Sequence, residues 1–149
     1  NVTAYPDGSI INHSDNITYP YLYWEGKSDK PIVDRTKGFV VETKDITPFL
    51  KSSLANQGLK ENETKEFIEY WAPRMTTIEP YVYVYFMPKS DYDILIPMTI
   101  TPKPDTVIRV YMLFKPLADP ITVTPQTFSA PERKGFTVVE WGGDRSAIR

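Results

Sequence analysis

Fourteen prolines are spread over the 149 residues, so few elements can run far without interruption. Proline holds φ near about −65° and has no backbone N–H to donate, so it breaks helix interiors and central strands alike. Spread in this way it rules out a polyproline tract and instead punctuates short strands.

Helical signals are confined to one block, about 47–72. Thr47 is placed as an N-cap, with Pro48 at the first helical position, where a missing N–H costs nothing. Leu50 and Leu54 lie one turn apart, and Gly58 supplies a left-handed terminus. A second helix near Glu61 to Trp71 puts Phe67, Ile68 and Trp71 on one face, and Pro73 is expected to close it.

Elsewhere the period is two. Tyr81, Tyr83 and Tyr85 alternate with Val82, Val84 and Phe86, a pattern that fits a pleated strand. The first 25 residues read as strand and turn, with Asp7-Gly8 as a hairpin signal and Tyr19 to Trp24 as an aromatic strand. Further strands are expected at Gly38–Glu42, Ile94–Ile100, Val107–Phe114 and Gly135–Trp141, with a short extended piece at Ile121–Val123. The expected fold is α+β, mainly β: one domain over 1–149, a β-sandwich-like (Ig-like) sheet domain with an inserted helical hairpin at about 47–72. Lys37-Gly38-Phe39-Val40-Val41-Glu42 is echoed by Lys134-Gly135-Phe136-Thr137-Val138-Val139-Glu140, which reads as convergent strand starts rather than two half-domains.

Hydrophobic residues make up 41% and charged residues 24%, enough for an ordinary buried core. A formal net charge of −2 offers no nucleic-acid footprint and no polybasic membrane patch. No apolar run approaches the roughly 18–20 residues of a membrane-spanning segment. Cysteine is absent, which excludes disulfide staples, thiolate catalysis and Cys-based metal sites.

Four of the five asparagines open an Asn-X-Ser/Thr triplet without proline: Asn1, Asn12, Asn16 and Asn62. Such triplets accept N-linked sugar on exported proteins, so N-linked glycans are expected at an extracellular or cell-surface location. A chain beginning at Asn1 without Met predicts that a signal peptide or upstream segment has been removed. Many sequons without cysteine suit a microbial surface protein.

Catalytic constellations are thin. The single histidine, His13, sits inside a sequon, and no Gly-x-Ser-x-Gly elbow accompanies it. Trp24-Glu25-Gly26 and Glu140-Trp141-Gly142 form a mirrored pair. Neighbouring, they would offer a sugar-stacking platform with two acids beside it; otherwise each Trp fills the core. Asp91-Tyr92-Asp93 and Asp7-Gly8-Ser9 resemble fragments of calcium loops without the full ligand spacing, so no metal or other cofactor is assigned.

Tyr21 to Gly26, Pro104 to Val110 and the terminal stretch Arg133 to Gly143 resemble a family of uncharacterised secreted or surface-anchored microbial β-rich domains. The resemblance implies a β-rich fold with a helical insertion and supplies no catalytic residue. A second resemblance is to subunits of pilus-like fibrils, in which a strand from one copy completes the sheet of the next. Here Val2 and Ala4, alternating before Pro6, are the candidate donor strand.

The function expected from these features is a secreted, N-glycosylated structural or interaction protein, a subunit of an extracellular fibril assembling with copies of itself. Tyr21, Tyr23, Trp24, Tyr81, Tyr83, Tyr85 and Trp141 are the candidate contact residues. A carbohydrate-binding module stacking glycans on Trp24 or Trp141 is the alternative, and a glycoside-active enzyme using Glu25 and Glu140 the third reading.

Overall fold

The computed structural model describes residues 1–26 and 33–145. Among them are seven strands and three α-helices in two sheets, a mixed α+β fold dominated by sheet. Strands β1 (Val2–Ala4), β2 (Ile10–Asn12) and β3 (Ile17–Tyr19) form an antiparallel meander. Strands β4 (Phe39–Glu42), β5 (Tyr81–Phe86), β6 (Thr106–Leu117) and β7 (Thr137–Asp144) form a four-stranded sheet in that order. The β4–β5 and β5–β6 pairs are antiparallel, whereas β6 and β7 run parallel.

The helical hairpin expected at 47–72 is present as α1 (Ile46–Asn56) and α2 (Glu61–Met75). Its start is two residues earlier than the Thr47 cap predicts. A 3-10 turn over Thr43–Asp45 leads straight into α1, Asp45 stands at the N-cap without a side-chain bond, and Pro48 still falls in the tolerant first turn. Gly58 adopts φ 96°, the left-handed conformation expected of it. In α2 the Glu63 carboxylate accepts from the Lys60 N–H at 2.7 Å, satisfying a donor the helix start leaves unpaired. Pro73 does not end this helix. It lies in the last turn beside solvent, and α2 continues to Met75, which is fully buried.

One face of the four-stranded sheet carries Val41, Val82, Val84, Phe86, Ile108, Val110, Met112 and Phe114 against Ile46, Leu50, Leu54, Phe67, Trp71 and Met75 of the helices. The opposite face carries Tyr83, Tyr85 and Leu113 against a third helix, α3 (Lys89–Leu95), with Val33 and Val123 from coil segments. The layer facing this sheet is therefore a helix pair and not a second sheet, which departs from the expected sandwich. Burying about 25 cal/mol per Å² of apolar surface, this double-sided core is the main stabilising term of the domain.

Two expected strands differ, and the short extended piece stays outside the sheets. From Pro20 to Gly26 the chain is irregular: β2 begins at Ile10, the partner of Tyr19, and among the described residues no strand continues beside Pro20–Trp24. Ile94 and Leu95 belong to α3, and 96–100 are irregular around Pro97. Ile121–Val123 forms no strand; only a parallel bridge from Thr124 to Lys37 marks this stretch. The two echoed segments open β4 and β7, the opposite edges of one sheet. Both glycines have positive φ, and a Cβ on Gly38 would stand 2.7 Å from the Val84 carbonyl oxygen.

Candidate functional site

Cross-strand partners share a face of a sheet, so the meander register sorts its side chains. The rows Val2–Asn12–Ile17 and Ala4–Ile10–Tyr19 share one face, and Thr3–Ile11–Thr18 lies on the other. The first face is largely apolar, yet Val2 is 39% and Ile17 50% exposed. The second is tied by a 2.8 Å hydrogen bond between Thr3 Oγ1 and His13 Nε2, which fixes the lone histidine on an exposed loop. A hairpin forms at Asp7-Gly8, but not as a two-residue turn with both residues at positive φ: the Gly8 N–H reaches the Tyr5 carbonyl around Pro6 and Asp7, the Tyr5 N–H pairs with Ser9, and Gly8 alone of the two takes positive φ, at 94°.

Three sequons lie on this meander. Asn1 and Asn16 are exposed, and Asn16 takes φ 60° in the β2–β3 turn, a conformation asparagine tolerates. Asn12 is half-buried; its Nδ2 donates to Asp15 Oδ2 at 3.0 Å, and its Oδ1 accepts from the Ser14 N–H and hydroxyl. Asn62 is exposed in the first turn of α2, away from the buried Phe67–Trp71 side.

The irregular segment after the meander presents Tyr21, Leu22, Tyr23 and Trp24, each 43–65% exposed. Tyr21 rests on Trp141 at 5.8 Å between centroids, and Trp141 in turn rests on Phe67 (5.4 Å) and Tyr70 (6.4 Å) of α2. Trp24 folds back so that its Cζ3 is 3.1 Å from where a Cβ on Gly26 would stand. The Tyr23 hydroxyl donates to Glu25, and that bond pushes the Tyr23 phenol up to about 12. The Arg74 guanidinium lies 3.7 Å above the Tyr70 ring. Tyr21 and Tyr23 thus come to the Trp141 side of the molecule.

The acids do not come together. Glu140 and Trp141 are consecutive in β7 and point to opposite faces, Trp141 toward α2 and Glu140 toward α3. Glu25 stays with Tyr23 on the helical side, so Glu25 and Glu140 face no common cleft. Glu140 is instead taken up by Arg109, its register partner on β6. The Arg109 side chain is only 2% exposed; it also donates to Asp93 Oδ1 at 2.8 Å and the Ile96 carbonyl at 2.9 Å, and lies 4.0 Å over the Tyr92 ring. This network clamps α3 to the sheet.

Burial opposes ionisation of Asp93, but hydrogen bonds from Lys89 and Arg109 outweigh it and hold the carboxyl below its usual range. Its pairing therefore stabilises the fold above the unfolded value of about 3.9, and that contribution fades as pH falls through the lower folded value. Loosening of α3 is expected below about pH 4, read as lost near-ultraviolet tyrosine dichroism, with a weaker acid transition in Asp93→Asn.

Of the other candidates, Tyr83 and Tyr85 are 2% and 3% exposed in the central strand β5, with the Tyr83 hydroxyl donating to the Lys37 carbonyl. They serve as core and offer no contact surface; Tyr81 is half-buried. Asp7 accepts from Ser9, and Asp93 is committed to Lys89 and Arg109. Among the described residues no three His, Cys, Asp or Glu side chains converge as metal ligands, and no helix is long and apolar enough to cross a membrane. An open groove of about 340 Å³ along β4, lined by Phe39, Val41, Phe49, Ile121 and Val123 among others, holds no charged side chain.

Comparison with protein-family models, curated proteins and solved structures finds no match.

Sequence reasoning missed the Arg109 clamp and the sidedness of the meander. Period-two reading leaves Arg109 on an outward face, and only the β6–β7 register reveals its partner. Spacing within Val2–Ala4 is too short to reveal an amphipathic sheet until three strands are aligned.

Proposed function

We propose that this chain is an extracellular, Asn-glycosylated interaction domain that assembles with copies of itself through the apolar face of its N-terminal meander. Its support is a mismatch of coverage. Both faces of the four-stranded sheet are covered from within the chain, by the helix pair and by α3, whereas Val2, Ala4 and Ile17 of the meander remain exposed. Three short strands need a packed face to be stable, and both faces of the four-stranded sheet are already in use. A second meander offers an uncharged, like-shaped cover. Two such faces stacking about 10 Å apart would build between chains the sandwich that one chain does not make.

A contact of this kind is isologous and closes as a pair; growth into a fibril then needs a second contact, for which the outer edge of β1, unpaired among the described residues, is the opening. Asn12 shares the apolar face with Val2 and Ile17, so pairing requires it to stay bare, while Asn1, Asn16 and Asn62 carry the sugar.

The test is the mass of native material in solution before and after deglycosylation. A dimer or larger particle is expected, with glycans on Asn1, Asn16 and Asn62 and none on Asn12. Ile17→Asp, which buries an unpaired charge in the contact, is expected to weaken association at least about 100-fold without unfolding the four-stranded sheet. A native protein that stays monomeric at high micromolar concentration overturns the reading.

A further inference from the structure

Beyond self-assembly, we propose that the ridge Tyr21–Tyr23–Trp24, with Glu25 and Arg74 beside it, is a binding site for a neutral oligosaccharide. The rings are exposed but not loose. Tyr21 is backed by Trp141, which is itself seated on Phe67 and Tyr70. Trp24 is folded onto the Gly26 backbone, and a side chain at position 26 would push it away. Tyr23 is tethered through its hydroxyl to Glu25. Ring positions fixed before binding spare a ligand the entropy of ordering them.

A pyranose has the complementary surface: an apolar C–H face that stacks on an aromatic ring, bordered by hydroxyls that need partners. Those partners stand at the rim. The Glu25 carboxylate accepts from hydroxyls, and Arg74, held over the Tyr70 ring with Nη1 on the Tyr70 carbonyl, donates to them. At no more than about 3.6 Å per residue, Tyr21 to Trp24 spans up to roughly 11 Å, the length of about two sugar units. Charge selects among ligands with stacking faces. A net charge of −2 and a carboxylate within the ridge disfavour nucleic acids and phosphorylated or sulfated sugars. The exposed Leu22 is the one aliphatic member, and a protein partner is the competing occupant.

The experiment titrates the full glycosylated chain with neutral gluco-, manno- and N-acetylglucosamine tetrasaccharides, following tryptophan emission and heat. At least one is expected to shift the emission and saturate. Trp24→Ala and Tyr23→Ala are each expected to weaken that binding at least about tenfold, Glu25→Gln about threefold, and Trp24→Phe least of all. Thermal melting should be unchanged, since none of these side chains is in the core. Ile17→Asp should become monomeric and still bind, which separates this site from the assembly surface. Silence toward all three sugars up to about 10 mM, binding retained in Trp24→Ala, or ridge variants that change only self-association each overturns the proposal; the last assigns the ridge to a protein contact.

Discussion

Arg109→Met is expected to remove about 3–5 kcal/mol of folding stability, measured by urea denaturation at neutral pH. The guanidinium is 2% exposed and its partner Glu140 10%, so removing the cation leaves a carboxylate in the interior with nothing to offset its charge. The same change cuts the bonds to Asp93 and Ile96 and takes the cation from the Tyr92 face, releasing α3. A small domain holds only about 5–15 kcal/mol in total, so this single variant approaches the limit of folding. The double variant Arg109→Met/Glu140→Leu should recover most of the loss, because two apolar side chains need no desolvation of charge. Asp93→Asn is expected to cost about 1 kcal/mol or less, its side chain being 42% exposed.

Phe67→Ala is the second large effect, at about 3–5 kcal/mol. Phe67 is fully buried at the centre of the helical face, 6.3 Å from Trp71 and 5.4 Å from Trp141 between ring centroids. Truncation opens a cavity beneath two tryptophans whose rings cannot collapse into it without leaving Phe114 and Tyr21. Phe67→Leu, which keeps most of the volume, should cost roughly 1–1.5 kcal/mol. In a folded Phe67→Ala sample the near-ultraviolet tryptophan bands should weaken, and sugar binding at Tyr21–Trp24 should weaken with them, because the support under Trp141 has gone.

The helical hairpin and the YVYVYF strand were legible because each is specified locally, by Leu50–Leu54 and Phe67–Trp71 spacing and by strict alternation. The role of those tyrosines was not. Alternation implies one buried and one half-exposed face, and β5 is central with both faces covered, a fact set by the order of strands rather than by β5 itself. Residues Ile94–Ile100 misread for a related reason. Their apolar run suits a strand, but Tyr92 and Leu95 reach the sheet as the inner side of a short helix anchored by Arg109. Of the candidate site, Tyr21, Tyr23, Trp24 and Trp141 were found as aromatics next to glycines and acids. Tyr70 and Arg74 were missed, since on their own helix they read as ordinary surface.

The parallel pairing of β7 with β6 carries a consequence for how the domain is put together and how it fails. Antiparallel neighbours can be joined by a tight turn, but β7 returns only after the irregular stretch 118–136 has run past β4 at Thr124 and over the helical side. Side chains hold that stretch at separate points: Gln126 pairs with both backbone groups of Phe86, Phe128 packs on Phe39 and Phe86, Arg133 joins Glu63 and the Gly58 carbonyl, and the Thr106 hydroxyl and Asp105 carboxylate take up the backbone of Lys134 and Phe136. Every residue of β7 is only half-buried. The β6–β7 junction is thus a seam expected to close late as the chain folds, because a long loop must be ordered before its strands meet. Once peeled, it would bare the long β6 edge as a template for a stranger's strand, so aggregation under stress should start at this seam and not at the helical layer.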